Sequence, residues 1–99
     1  MAEYKLSNKA VEDLNQIWEY TFYKWSEKKA DNYYNLLLAS CQDIANNPNL
    51  GRNHKEINKD LFGFKSNKHI IFYRMTFNEY VEITRILHER MDLKNRLNE

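Results

Sequence analysis

The sequence predicts an α+β domain, a two-layer sandwich with a helical hairpin packed on one face of a mainly antiparallel four-stranded sheet. Two patterns and one bound predict it. The stretch from His69 to Asp92, HIIFYRMTFNEYVEITRILHERMD, concentrates β-branched and aromatic residues and reads as a β-hairpin. Between Lys9 and Asn46, apolar residues recur at spacings of three and four, the period of two amphipathic helices. The bound is length. Ninety-nine residues, 42% hydrophobic with two glycines and one proline, make one domain over 1–99 with a single modest core and too few breakers for disorder.

Taken in order, Glu3 to Ser7 alternates Tyr4 and Leu6 with Glu3 and Lys5, a short half-buried strand. Ser7 or Asn8 then caps a helix over Lys9 to about Lys24, with Ala10, Val11, Leu14, Ile17, Trp18 and Thr21 on its apolar stripe. Lys9 and Asp13 stand four apart beside that stripe. Ser26 caps a second helix from Glu27 to Asn46, which buries Ala30, Tyr33, Tyr34, Leu37, Cys41, Ile44 and Ala45, widened by Leu36 and Leu38. Pro48 stops it. NNPNLGRN from Asn46 to Asn53 is turn chemistry, a basic loop anchored by Ile57 follows, and Leu61 to Lys65 reads as a strand bulged around Gly63. In the hairpin, His69 to Met75 is nearly continuous in apolar residues and so is buried on both faces; Tyr80 to Leu87 alternates and is half wet. Asn78 is the turn residue expected to take a positive φ. The tail LKNRLNE has helical propensity but too little length to fold unaided. With both helices on one face, the opposite face of the sheet is left open.

Several chemistries are poorly served. Cys41 is a buried small hydrophobe on a core helix, and His54, His69 and His88 form no pair at metal-ligand spacing. Gly51 and Gly63 stand alone, so there is no phosphate loop. Glu27 and Asp31 are a solvated pair on a helix, not a catalytic dyad. No segment has the length of a membrane span and the N-terminus lacks a signal peptide's apolar segment, which places the protein in the cytoplasm.

Net charge is +1, yet residues 1–51 carry five Lys/Arg against seven Asp/Glu while residues 52–99 carry ten against seven. The basic half suits an anionic partner, an acidic protein segment as well as a nucleic acid. Arg52, Arg74, Arg85, His88 and Arg90, with Tyr73 and Tyr80 nearby, are the groups of interest. Arginines stabilise a phosphorane-like transition state while a His, Glu or Tyr moves the proton of a 2′-OH, so these residues could cleave RNA. Alternatively the arginines pair with Glu82, Glu89 and Asp92, His88 and Asp92 brace the end of the last strand, and Arg52 braces a loop.

The series YKLS at Tyr4, DL at Asp13, Trp25 after the first helix, NPNLGR from Asn47, HIIFYR at His69 and RILHERMD at Arg85 resembles a ParE-type toxin of the RelE/ParE toxin-antitoxin superfamily over essentially the whole chain. The resemblance implies the β-α-α-β-β-β fold reached above. The ribonuclease branch resembles this chain in the penultimate strand but reads R-L-V-Y where this chain has Ile70, Ile71, Phe72 and Tyr73; the arginine serving the scissile phosphate is replaced by Ile70, a loss of several kcal/mol of transition-state stabilisation. The ParE branch looks the same at this position. It implies a non-catalytic toxin that poisons DNA gyrase by trapping the cleaved DNA complex, needs no cofactor or metal, and forms a hetero-oligomer with a ParD-type antitoxin. Toxicity then falls to the C-terminal signature and tail, Arg85, His88, Arg90, Asp92, Lys94 and Arg96. The antitoxin is expected to lay an amphipathic helix in an apolar groove and extended segments along the sheet, contacting Tyr20, Tyr23 and Tyr34 on the helices and Arg52, Ile70, Phe72 and Arg74. A ribosome-dependent messenger-RNA endoribonuclease is the alternative function, and a degenerate toxin that only binds its antitoxin is a third.

Overall fold

The structure, a computed structural model, describes residues 2–97. Strand β1 (Tyr4–Leu6) leads into helices α1 (Asn8–Lys24) and α2 (Glu27–Asn46), followed by a 3-10 turn (Pro48–Leu50), β2 (Arg52–Asn53), β3 (Phe62–Ser66), β4 (His69–Met75), β5 (Val81–His88) and α3 (Leu93–Leu97). The predicted α+β sandwich is present, with one strand more than the four expected. The sheet has five strands in the order β1-β5-β4-β3-β2. Strand β1 runs parallel to β5 while the remaining pairs are antiparallel. The additional strand, β2, has two residues, too few to leave a period in the sequence.

Both helix starts are capped as the sequence predicts. Ser7 Oγ accepts from the Ala10 N–H at 3.0 Å and Ser26 Oγ from the Lys29 N–H at 3.1 Å, satisfying donors that a helix leaves unpaired at its first turn. Ala10 and Leu14 of α1 and Leu37, Cys41 and Ile44 of α2 are buried against Ile71, Tyr73, Val81, Ile83 and Ile86 of the sheet. Burial pushes the Cys41 thiol up to about 12, so it stays protonated.

Strand β5 carries a bulge. Phe72 faces Arg85 and Tyr73 faces Ile83, which leaves Thr84 as an extra residue. The shift of one position puts Val81 and Ile83 before it and Ile86 after it on the helix-facing side, a pattern that plain alternation in the sequence misassigns. Strand β4 is buried on both sides, as its apolar run predicts, with Ile71, Phe72 and Tyr73 inaccessible.

The sheet's second face is not open. Ile57 and Leu61, from the loop before β3, and Leu93 and Leu97, from α3, pack over Ile70, Phe72 and Leu87. The tail thus folds as a five-residue helix because two leucines find this apolar surface. Buried His54 lies edge-on to Phe72 with ring centroids 5.3 Å apart, and burial lowers its pKa. In the β4–β5 turn the positive φ, 62°, falls on Glu79, with Thr76 donating its N–H and Oγ1 to the Tyr80 carbonyl. A loop of this length needs its left-handed residue last, where it rejoins the strand, not in the middle at Asn78.

The NPNLGR segment is held by Tyr73. Its hydroxyl donates to the Pro48 carbonyl at 2.6 Å and accepts from the Gly51 N–H at 2.9 Å. A Cβ on Gly51 would come within 2.8 Å of Tyr73 Cε1, so glycine stands there for room.

Candidate functional site

One end of the sandwich opens into a cleft of about 1110 Å³ between the helical hairpin and the C-terminal end of β5. It gathers residues that the sequence separates into two roles: Tyr20 from the antitoxin candidates and Arg85, His88, Arg90 and Arg96 from the toxicity candidates. Its far wall is α1, and its near wall is the RILHER segment.

The wall is fixed by Asp13. Its Oδ2 accepts from Arg85 Nε at 2.8 Å and from the Ile86 N–H at 3.0 Å, and its Oδ1 accepts from Arg85 Nη2 at 3.1 Å. Asp13 and Arg85 expose only 8% and 13% of their side chains, so this is a buried, bidentate pair. Arg85 Nη1 also donates to the Arg96 carbonyl at 2.9 Å. A single guanidinium therefore ties α1, β5 and α3 together. The expected pairing of Asp13 with Lys9 along the helix gives way to a partner 72 positions away, because a half-empty strand edge draws the carboxylate inward. Ser7 serves the same edge, donating its N–H to the Ile83 carbonyl and its hydroxyl to the Thr84 carbonyl.

Two histidines form the floor nearest the turn. His69 and His88 meet edge to face with centroids 5.3 Å apart, and Tyr33 Oη lies 2.6 Å from His69 Nδ1. Burial, reinforced by His88, lowers the His69 pKa to about 4, so at neutral pH the ring is uncharged. Burial raises the Tyr33 pKa, which keeps the phenol protonated. His88 Nδ1 accepts from the Arg90 N–H at 3.1 Å.

The charge of the lining is one-sided. Lys24, Lys29, Lys68, Arg85, Arg90 and Arg96 face Asp13 and Glu89, and those two acids are already bound to Arg85 and to Lys65. Between the cations lie Ile17, Tyr20, Trp25, Tyr33, Leu36 and Met91. Such a cleft suits an anionic partner with apolar side chains. Among the described residues no group of three or more His, Cys, Asp or Glu is placed to hold a metal.

The other candidates are dispersed. Asp92 caps α3, its Oδ1 accepting from the Asn95 N–H at 3.4 Å and its Oδ2 from Asn95 Nδ2 at 2.7 Å, and Lys94 is exposed beyond it. Tyr23 is 83% exposed on the outer side of α1, edge-on to Phe22, which stacks on Trp18. Tyr34 instead packs against the main core. Arg74 is paired with Glu82 at 2.7 Å and Arg52 reaches Glu56 at 3.4 Å. Phe72 is fully buried beneath the loop and α3, which removes its side chain from any surface, and Ile70 is partly covered by the same cluster. Asp13 is the residue the sequence reading left out of the site. The sign available was the acid inside an otherwise apolar stripe, between Ala10 and Leu14.

A family model described as ParE toxin of type II toxin-antitoxin system, parDE, matches residues 4–93. The chain belongs to this ParE toxin family. Two curated relatives, both named Toxin ParE1, agree over nearly the full length. That of Mycobacterium tuberculosis is 32% identical over 96 residues, covering 97% of this chain and 98% of the relative. That of Caulobacter vibrioides is 33% identical over 97 residues, covering 98% and 99%. Among solved structures, the chromosomal ParDE system from P. aeruginosa superposes with a TM-score of 0.77 at 17% identity, over 89% of this chain and 96% of that one. The RelBE2 toxin-antitoxin complex of M. tuberculosis gives 0.61 at 16% identity, over 89% and 98%. At those identities the structural likeness speaks for the fold, and it is common to ParE and RelE toxins. No helix among the described residues is long and apolar enough to cross a membrane.

Proposed function

We propose that this ParE-family chain is the toxin of a type II pair, that it acts in the cytoplasm by poisoning DNA gyrase without itself catalysing a reaction, and that a ParD-type antitoxin neutralises it. The observation that carries the non-catalytic reading is the position of Ile70. A ribonuclease of this superfamily would need a cation on this strand to meet the scissile phosphate. Ile70 instead sits in an apolar cluster roofed by Leu61, Leu93 and Leu97. The neighbouring cation Arg74 is paired with Glu82, and Arg85 is buried against Asp13, so neither is placed to substitute.

For the contact with gyrase, the cleft offers His88 and Arg90 at an accessible end of β5, whereas Arg85 supports that end from within. Lys94 and Arg96 lie on the adjoining α3. A plasmid-cleavage reaction tests this: linear DNA is expected when toxin, gyrase and ATP are combined, and none when gyrase is omitted. Cleaved messenger RNA from the same preparation, without linear DNA, would replace the reading with the endoribonuclease one.

A further inference from the structure

The tip of the helical hairpin is basic although the half of the chain that holds it is acidic. Residues 1–51 carry five Lys/Arg, and three of these, Lys24, Lys28 and Lys29, fall within six positions that contain a single acid, Glu27. Among the described residues none of the three lysines has a carboxylate within ion-pair distance. Asp31, the next acid along, accepts from Trp18 Nε1 at 2.9 Å instead. The same stretch exposes large rings: Tyr20 is 63% exposed, Tyr23 83% and Trp25 62%. Rings and cations alternate in space. Lys24 Nζ lies 5.4 Å from the centre of the Tyr20 ring and 6.0 Å from that of Trp25, and Lys29 Nζ lies 4.8 Å over Trp25. Lys24 also donates to Tyr20 Oη at 3.0 Å. Cation–π contact keeps each ammonium beside a ring. The backbone beneath is fixed, because the Trp25 N–H donates to the Thr21 carbonyl at the end of α1 and Ser26 caps α2.

Flat rings interleaved with fixed cations match a strand of bases joined by phosphates, because every base offers a face to stack on and every linkage a negative charge. We infer that the hairpin tip, residues 20–29, is a binding platform for single-stranded DNA. Bases stack on Tyr20, Tyr23 and Trp25, and phosphates meet Lys24 and Lys29, with Lys28 adjoining. The platform goes beyond the gyrase reading; only the choice of DNA over RNA rests on it, since that reading sets the toxin beside cleaved DNA. Other anionic partners use less of the tip. Duplex DNA keeps its base faces inside its own stack and offers phosphates to the lysines alone. An acidic peptide also meets the lysines but brings no row of ring faces. A lipid surface calls for an apolar edge that enters it, whereas the turn itself presents Ser26, Glu27 and Lys28. Tyr23 and Lys28 lie outside the lining of the cleft, so the platform runs past the cleft's rim onto the outer side of the hairpin.

The test uses the full chain and a fluorescein-labelled thymidine 15-mer, read by anisotropy, with tryptophan emission as a second signal. Trp18 is stacked on Phe22 and hydrogen-bonded to Asp31, so quenching on binding reports Trp25. The wild type is expected to bind with its emission quenched, and to bind an abasic 15-mer, which keeps the phosphates and lacks the bases, about ten-fold or more weakly. Trp25→Ala should weaken binding of the thymidine strand by about ten-fold and Trp25→Phe far less, both with the salt dependence unchanged. Lys29→Ala should instead lower the slope of log K against log salt by about 0.7. The abasic comparison needs only the wild type, so it decides even where a variant fails to fold. Equal binding of the thymidine and abasic strands, or of the single strand and a duplex of the same length, overturns the platform and leaves general charge attraction. Tighter binding of a uridine 15-mer overturns the assignment to DNA, and binding to vesicles of anionic phospholipid without binding to the thymidine strand gives the tip to lipid. None of these reactions contains gyrase, so their failure leaves the gyrase reading standing, and a failure to linearise plasmid leaves the platform standing.

Discussion

Replacing Asp13 by alanine removes one partner of a pair in which both side chains are nearly buried. It strands the Arg85 guanidinium and the Ile86 N–H together, because the one carboxylate accepts from Nε, from Nη2 and from the backbone. Breaking a buried pair from one side costs about 3–5 kcal/mol, against a total stability of roughly 5–15 kcal/mol for a domain. At about 4–8 °C per kcal/mol for a chain of this size, Tm should fall by roughly 12 °C or more in both Asp13→Ala and Arg85→Ala. Urea and thermal unfolding measure this. The pair of substitutions Asp13→Leu with Arg85→Met removes both charges at similar volume and should recover the part of the loss that comes from the stranded charge, while the Ile86 N–H stays without its acceptor. Arg85→Ala is expected to weaken growth arrest in proportion to lost folded protein. If Arg85→Ala left Tm within a few degrees of wild type yet abolished growth arrest, Arg85 would be a contact to the target, and its assignment as a brace between α1, β5 and α3 would be wrong.

Three further outcomes follow from the same structure. Gly51→Ala should destabilise by about 1–3 kcal/mol by overpacking against Tyr73, and the added cost should shrink in a Tyr73→Phe background, where the hydroxyl above residue 51 is gone; a double-mutant cycle in urea checks it. His69 takes up its proton near its ordinary value of 6.5 when unfolded but only at about 4 when folded, so the unfolded chain binds more protons between those values. Stability from this group is complete above about pH 6.5 and is lost as pH falls towards 4; the wild-type Tm should drop more steeply over that window than that of His69→Asn, in which the residue that titrates beside Tyr33, His88, Asp13 and Glu89 is absent. A chain ending at Asp92 loses α3 and uncovers Ile70, Phe72 and Leu87, so it should bind an apolar dye and lose about 2 kcal/mol or more of stability.

What the sequence made legible was the local part of this. Both helices, their serine caps, the tight hairpin at Trp25 and the doubly buried strand through Ile71, Phe72 and Tyr73 follow from period, capping chemistry and apolar content, which act over a few residues. The pairings that build the cleft act over long separations. Asp13 looked like half of a surface pair with Lys9, and nothing near it in the chain announces Arg85. The bulge at Thr84 breaks the alternation by one position, so Arg85 read as a half-wet strand residue available to a partner. Phe72 and Ile70 read as an open face because α3 is too short to be expected as a roof, and its docking depends on Leu93 and Leu97 meeting a surface assembled from β4 and β5. The candidates drawn from the RILHER segment, His88 and Arg90 above all, do converge in space, since neighbours in sequence at a strand end stay neighbours in the fold.

The measurement closest to the central proposal, a non-catalytic gyrase poison, is a titration of purified toxin into a fixed amount of gyrase with plasmid and ATP, scored for linear DNA, alongside an RNA substrate. A poison acts by occupancy, so linear DNA should rise with toxin and level off near one toxin per target site, with the RNA intact and with Arg90→Glu shifting the curve to higher concentration. Full effect at a small fraction of the gyrase concentration, or RNA cleavage with the plasmid unchanged, would contradict it.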